Sequence, residues 1–437
     1  MRPTRRSFLQ KSAALMATAM LAPRVVRGQS IRSVADRINV ALIGCNGMGF
    51  YNLQDHLKIP NVECVALCDV DESVLNRRAA DVAKITGRQP KLIKDFRRII
   101  DDKDIDVVIV GTPDHWHCLP TVYACEAGKD VYVEKPLANS IYECDVMLNA
   151  ARKFKRIVQV GQQQRSGSHW QQIIELVKAG RVGQLRKIKA WGFFEYGRTS
   201  PRVPDSAAPT GVDYDLWLGP APQRPFNTGR FHGNWRFSWD YGGGLLTDWG
   251  VHLLDIALWA VNEKMPDTIQ SVGGIYAYKG NQIETADTQT VLYGYEDLHI
   301  EWEHLGGLHS GYYGRGYGVA FIGNDGTIVV NREGWELIPE IENGKPKTES
   351  IALQPADRSD HIKHVTNFIE SVRTRALPIC DVETGRNAAT LAHMGNIAYR
   401  TGDKLQWDRA SRQFISNQKA TDLITPSYRK PWKLPVR

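Results

Sequence analysis

The 437-residue chain has no uninterrupted apolar run of the length a membrane-spanning helix needs. Such a helix takes roughly 20 residues, and the run from Ser12 to Ala22 is too short. No stable membrane anchor is expected. Excess charge of one sign is also missing from the body of the chain. Of the 55 Lys and Arg residues, Arg2, Arg5, Arg6, Lys11, Arg24 and Arg27 lie within residues 1–28, where no acid occurs. That leaves 49 basic against 48 acidic residues, so net charge gives no case for nucleic-acid binding. Cysteine is scarce and odd in number: 45, 64, 68, 118, 125, 144 and 380. Most sit in apolar segments, and Cys64 and Cys68 flank "VAL" in a strand-like run. They read as buried small hydrophobes, neither a disulfide framework nor zinc ligands. No internal repeat and no disordered tract is visible.

The N-terminus reads "TRRSFLQKSAALMATAMLA". Arg5 and Arg6 closely precede the short apolar run, a pattern similar to a twin-arginine export signal. The expectation is a signal over residues 1–30, cleaved between Ala19 and Gly28, and a periplasmic or otherwise exported protein. That route carries folded proteins, which can travel with a bound cofactor.

From Ile38 the chain alternates apolar strands ("INVALIG", "VECVALCD", "IDVVIVGT", "KDVYVE", "RIVQVG") with helical segments. Continuous apolar strands separated by helices predict a doubly wound parallel sheet of the Rossmann type, over residues 37–160. The first strand ends in "GCNGMG". Gly44, Gly47 and Gly49 fit G-x-G-x-x-G at its first, fourth and sixth positions, but Asn46 replaces the second glycine, which admits a pyrophosphate. Asn tolerates a left-handed backbone better than most residues, and with Gly47 next the close approach is expected one residue later. Asp69 closes the second strand, 25 residues after Gly44, and no arginine follows in "DVDES". A carboxylate there accepts from ribose hydroxyls and repels a 2′-phosphate, which predicts NAD over NADP.

The segments "GTPDHWH" (111–117), "EKP" (134–136), "VGQQQRS" (160–166), "GRVGQLRKI" (180–188) and "GGGLLTDWGVHLLD" (242–255), with the glycine loop, carry a family pattern. In these motifs the chain resembles the Gfo/Idh/MocA oxidoreductases over nearly all of its length after residue 37. The resemblance implies a second domain, residues 161–437, of α+β type with a large open, mostly antiparallel sheet for substrate binding and oligomerisation. Strand-like runs such as "DTQTVLYGY" and the hairpin signal "NDGT" (324–327) agree. The excursion from Gly192 to Phe231, with six prolines, is long enough to be a functional cover. An open sheet needs its free face covered, so a homo-oligomer, dimer or tetramer, is expected.

Asp248 and His252 are i and i+4 on an apolar helix, so one face should carry both. Buried polar groups need partners or a wet cleft. The glycines at 242–244 admit a ligand or another backbone nearby. The resemblance puts Lys135, Asp248 and His252 together at the nicotinamide as catalytic residues. His252 would take the alcohol proton, Asp248 would orient its imidazole, and Lys135 would stabilise charge on the reacting oxygen. Gly44, Asn46, Gly47, Met48, Asp69, Thr112, Pro113, His117, Glu134, Lys135, Gln163, Trp235 and Arg236 are the candidate cofactor-binding residues. Arg165, Trp116 and Trp249 are the candidate substrate contacts. His115 and His117 flank Trp116, but beside a nicotinamide they suggest contacts or caps, and no metal is expected.

Tryptophans 116, 170, 191, 217, 235, 239 and 249 fall in segments expected around the cleft. Aromatic faces stack on sugar rings, so the expected substrate is a sugar, glycoside or polyol, oxidised by hydride transfer to NAD. Two alternatives stay open: an NAD-dependent glycosidase or lyase working through a transient keto-sugar, and a non-catalytic NAD-binding sensor. NAD-dependent glycosidases of this ancestry generally lack the "EKP" lysine, so Lys135 favours the oxidoreductase.

Overall fold

Strand β1 (Ile38–Ile43) is buried along nearly its whole length, as its apolar run predicts. A computed structural model describes residues 37–195, 200 and 202–436; the expected export signal lies outside them. Strands β2 (Val62–Cys68), β3 (Lys91–Ile93), β4 (Val107–Val110), β5 (Asp130–Val133) and β6 (Val158–Val160) join β1 in a parallel sheet of order β3-β2-β1-β4-β5-β6. Helices α1 (Gly47–His56), α2 (Glu72–Thr86), α3 (Arg97–Asp101), α4 (Cys118–Glu126) and α5 (Ile141–Lys153) make the crossovers. Strand order reverses between β1 and β4, and ligands bind at that point in such sheets. Local chemistry fixes the helix ends: Asp71 caps α2 by accepting from the Ser73 and Val74 amides, and Gly87 ends it with φ +73°. All seven cysteines are buried free thiols, as their apolar settings predict.

The chain then runs through helix α6 (Ser168–Lys178) into β7 (Leu185–Phe194), the long excursion with its short helix α7 (Tyr214–Leu218), and helix α8 (Val251–Ala260). Strands β8 (Thr268–Gly274), β9 (Thr288–Gly294), β10 (His299–Gly306), β11 (Tyr317–Gly323), β12 (Gly326–Asn331) and β13 (Gly334–Pro339) follow. A small hairpin, β14 (Ile341–Glu342) with β15 (Lys345–Pro346), precedes β16 (Ile351–Pro355), helix α9 (Asp360–Thr374), helix α10 (Val382–Thr401), β17 (Leu405–Asp408) and β18 (Gln413–Phe414). The ten-stranded sheet has the order β16-β13-β12-β11-β7-β10-β9-β8-β17-β18, antiparallel except for β7 against β10. Asn324 and Asp325 turn β11 into β12, as "NDGT" predicts.

One face of this sheet is the core. Leu253 and Leu254 of α8 and Leu391 and Met394 of α10 pack there with Tyr293, Trp302 and Phe321. The opposite face holds Lys189 between Glu301 and Glu303 and exposes Val272 and Leu292. Helix α9 returns to the first sheet, where Val365, Phe368 and Ile369 pack with Val40, Leu42 and Tyr132. No helix among the described residues is long and apolar enough to cross a membrane.

Candidate active site

A solvent-open cleft of about 420 Å³ starts at the glycine loop after β1 and ends at the helix that follows the Gly-Gly-Gly run. Three glycines set its floor by bringing backbones into contact. A Cβ on Gly44 would lie 2.7 Å from the Gly111 carbonyl carbon, one on Gly49 2.1 Å from the Gly44 oxygen, and one on Gly111 2.4 Å from the Gly49 Cα. Gly47 differs: it has φ +47° and open space where a side chain would be. Asn46 keeps an extended backbone, φ −93°, and precedes α1. Of Asn46 and Gly47, the left-handed residue is therefore Gly47. Gly44, Asn46, Gly47 and Met48 all line the cleft.

Asp69, at the end of β2, accepts from the Cys45 amide through Oδ2 at 2.7 Å and the Asp71 amide through Oδ1 at 3.0 Å. Burial pushes its carboxyl above the usual range, against these two hydrogen bonds. A carboxylate has about four acceptor positions, so Asp69 retains capacity for ribose hydroxyls. This half of the cleft is roofed by the long excursion, as its length and prolines predict. The Asp213 amide donates to the Val70 carbonyl at 2.9 Å, the Glu72 amide to Gly211 at 3.1 Å, and His232 meets Asp71 at 2.9 Å. Leu216, Trp217, Phe231 and His232 thereby reach the cleft wall.

At the other end, Lys135 reaches across from the first sheet. Its Nζ donates to the Asp248 carboxylate at 2.6 Å and to the Asp248 carbonyl at 2.9 Å. Arg236 Nε donates to the same Oδ1 at 3.2 Å. Glu134 beside Lys135 accepts from Asn52 at 2.9 Å and so fixes the strand end to α1. Thr112, Pro113, Glu134, Gln163, Trp235, Arg236, Trp249 and His252 line this cleft together with Lys135 and Asp248.

The expected orientation of His252 by Asp248 needs correction. Residues Leu246–Gly250 form a π turn, and only then does α8 begin. A π turn closes i→i+5 bonds, so residues four apart no longer stack as in an α-helix. Asp248 turns to Lys135 and Arg236, and no hydrogen bond joins it to His252 among the described residues. His252 Nδ1 is buried without a partner. Burial, then Lys135, Arg332 and His364, hold the imidazole well below its ordinary pKa, while Asp248 pulls the other way. The ring is therefore neutral at physiological pH.

The three glycines serve protein packing. A Cβ on Gly242 would meet Arg236 and Trp235 at 3.1 Å, one on Gly243 Thr247 at 2.6 Å, and one on Gly244 Thr285 at 2.5 Å. They let this turn sit against Arg236 and thus bring Arg236 to Asp248.

Two further assignments change. Arg165, expected at the substrate, is buried in a structural ion pair: its Nε contacts both Asp255 oxygens at 2.9 and 2.8 Å, and Nη2 reaches Glu263 at 2.6 Å. His117, expected at the cofactor, stands behind the wall. Its nitrogens lie 2.7 Å from the Pro136 carbonyl and 2.9 Å from the Thr112 carbonyl. Burial pushes it down to about 4, so the ring is neutral and donates to one carbonyl at a time. It ties the loops after β4 and β5 together. His115 Nε2 likewise lies 3.1 Å from the Trp217 carbonyl. Trp116 lines the cleft, but its indole donates to the Trp217 carbonyl at 2.9 Å and packs on Phe96 and Trp432. Of the other tryptophans, 217, 235 and 249 line the cleft, whereas Trp170 and Trp191 are fully buried core residues.

Two residues not singled out from sequence complete the wall. Asp114 lines the cleft, and burial pushes its carboxyl well above the usual range despite the pull of Lys135 and Arg236. It lies inside "GTPDHWH", so a local signal existed. Arg332 comes from the β12–β13 turn and stacks on Trp249 at 4.6 Å, with no local motif to announce it.

Comparison with known proteins identifies the family of both halves of this fold. A family model described as an oxidoreductase family, NAD-binding Rossmann fold, matches residues 38–162. Its companion, the C-terminal alpha/beta domain of the same family, matches 171–297 and 334–434. Among curated proteins, a glycosyl hydrolase family 109 protein of Shewanella sp. (strain W3-18-1) is 28% identical over 173 residues, 38% of each chain. An alpha-N-acetylgalactosaminidase of Shewanella oneidensis is 25% identical over 201 residues, 41% of this chain and 44% of that one. The matches thus span about two fifths of these relatives' lengths. Similar solved folds include the aldose-aldose oxidoreductase from Caulobacter crescentus complexed with glycerol, with TM-score 0.62, 20% identity, 85% of this chain and 99% of that one. Levoglucosan dehydrogenase in complex with NADH has TM-score 0.64, 17% identity and the same coverage.

Proposed function

The chain belongs to the Gfo/Idh/MocA oxidoreductase family, and on that premise we propose that it interconverts a secondary alcohol of a sugar, glycoside or polyol with its ketone by hydride transfer to and from NAD. The observation that carries this reading is the meeting of Lys135 with Asp248 across the two sheets, beside an unpartnered, neutral His252, at the end of a cleft that begins at Gly44. Asp69 suits NAD because its carboxylate has acceptor capacity left for ribose hydroxyls and repels a 2′-phosphate.

Bound NAD supplies the two-electron acceptor. Lys135 Nζ, held by Asp248, donates to the reacting hydroxyl oxygen and stabilises the charge that develops there. Neutral His252 takes the proton. Asp248 is the group that favours its protonated form, against Lys135 and Arg332. Trp249 and Gln163 give the sugar an apolar face and a hydrogen-bonding edge. Lys135→Ala and His252→Ala should each cut turnover by about 10²–10⁴-fold with NAD still bound. Near-normal rates in either variant refute the assignment.

A second reading draws on Asp114 and on the glycosidase names of the partly matching relatives. A carboxyl whose pKa burial raises suits donation to a leaving glycosidic oxygen. Incubating the NAD-loaded protein with glycosides separates the readings: reduced nucleotide marks the oxidoreductase, released aglycone without net reduction marks the glycosidase, and neither marks a sensor.

Export by the twin-arginine route and a homo-oligomer complete the proposal. The arginine pair with its short apolar run supports the first. The second is supported by the face of the large sheet that exposes Val272 and Leu292. Fractionation of expressing cells and light scattering of the purified protein test them.

A further inference from the structure

Arg332 is a half-buried cation at the cleft wall beside His252 and Trp249, and it has no carboxylate within ion-pair distance among the described residues. The neighbouring cations are all paired: Lys135 and Arg236 with Asp248, Arg165 with Asp255 and Glu263. Of the acids that act on it, Glu333 is engaged with the Tyr317 hydroxyl at 2.9 Å and Asp248 as described, while Asp360 lies beyond ion-pair distance. Among the described residues the guanidinium bonds only the Gln164 Oε1, through Nε at 3.3 Å and Nη2 at 3.1 Å. That uses its side-on fork. The end-on fork, formed by Nη1 and the second Nη2 hydrogen, has no acceptor among the described residues. Its plane is fixed by Trp249, 4.6 Å below. Burying an unpaired charge is costly, and burial does lower the Arg332 pKa from its ordinary value. A planar two-donor fork matches a carboxylate better than a lone hydroxyl.

We infer that the sugar substrate carries a carboxylate, as a uronic or aldonic acid does, and that Arg332 binds it end-on beside Trp249. The inference rests on the sugar-oxidoreductase reading above and narrows its substrate class. It also bears on the chemistry. Arg332 is one of the charges that oppose protonation of His252, with Lys135 and His364, whereas Asp248 favours it. A bound carboxylate offsets Arg332 and makes His252 a better proton acceptor when an acidic substrate is present.

The test uses the NAD-loaded protein with D-glucuronate, D-galacturonate and D-gluconate against D-glucose, D-galactose and glucose 6-phosphate. Equilibrium binding and reduced-nucleotide formation are both followed. A hydrogen-bonded charge pair of this kind corresponds to about 10–100-fold, so kcat/KM and affinity should favour the carboxylates over neutral sugars by that factor. Arg332→Gln should bring the ratio near one, and Arg332→Lys should restore part of it. Equal or better use of neutral sugars by the wild type overturns the inference, as does preference for the phosphate or a ratio unchanged in Arg332→Gln. If that variant does not fold, the wild-type ratio decides alone. Carboxylate binding that depends on Arg332, without nucleotide reduction by any sugar, supports this inference and refutes the redox reading instead.

Discussion

Replacing Asp248 by Asn keeps the shape of the site and removes the one negative charge that Lys135 and Arg236 share. The side chains of Lys135, Asp248 and Arg236 are 13%, 8% and 26% exposed. Breaking a fully buried pair costs roughly 3–5 kcal/mol. Here the cleft is open to water, which reduces the cost to about 1–3 kcal/mol. At roughly 2.1 cal/mol/K per residue over some 400 residues, each kcal/mol lowers Tm by about 1 °C. The expected melt is therefore about 1–4 °C lower, with the fold intact. Activity should suffer more, by about 10–10³-fold, because Lys135 loses its anchor and His252 loses the group that favours its protonation. The sign of the pH effect follows. Turnover in the alcohol-oxidising direction needs neutral His252, so the rate rises with pH through the His252 pKa and then levels. Asp248→Asn moves that rise to lower pH. Melting curves and single-turnover nucleotide reduction across pH measure both effects. A folded variant with unchanged rate and pH profile removes Asp248 from the mechanism. A large loss of stability with full activity per folded molecule makes the cluster structural.

Gly47→Ala and Gly49→Ala should diverge. The first meets open space at φ +47°, so stability falls by only about 1–2 kcal/mol while NAD affinity, read by titration, drops sharply. The second sets a Cβ 2.1 Å from the Gly44 oxygen and should prevent folding; a soluble Gly49→Ala protein with normal melting refutes the packing argument. Asp69→Ala should weaken NAD by about 10–100-fold and raise the relative affinity for NADP; an unchanged NAD to NADP ratio refutes its role. Arg165→Met leaves fully buried Asp255 unpaired and should destabilise by roughly 3–5 kcal/mol without changing KM of the folded fraction, as denaturant unfolding and steady-state kinetics would show.

The sequence alone determined the parallel sheet, because fully buried strands must be apolar throughout and their helices must carry the opposite period. It also determined the glycine loop with Asp69 at the strand ends, and the pairing of Lys135 with the Asp248 segment through the resemblance of "EKP" and "DWGVH". These are local patterns, or patterns shared along the whole chain, and both can be read in one dimension. Arg165 shows where that reading stops. A buried arginine and a ligand-binding arginine look identical until the acids 90 and 98 residues away come into contact with it. The Asp248–His252 spacing was read on an α-helix, but the π turn at Leu246–Gly250 changed which way Asp248 points. Packing of Gly242 to Gly244 against Arg236, Thr247 and Thr285 accompanies that turn. Arg332 had no motif at all. Only the fold of the large sheet brings a hairpin turn, 80 residues past His252, to the same wall. Side-chain partnerships across the cleft are long-range, and burial of charge is a property of the assembled interior, so tertiary structure alone decided them.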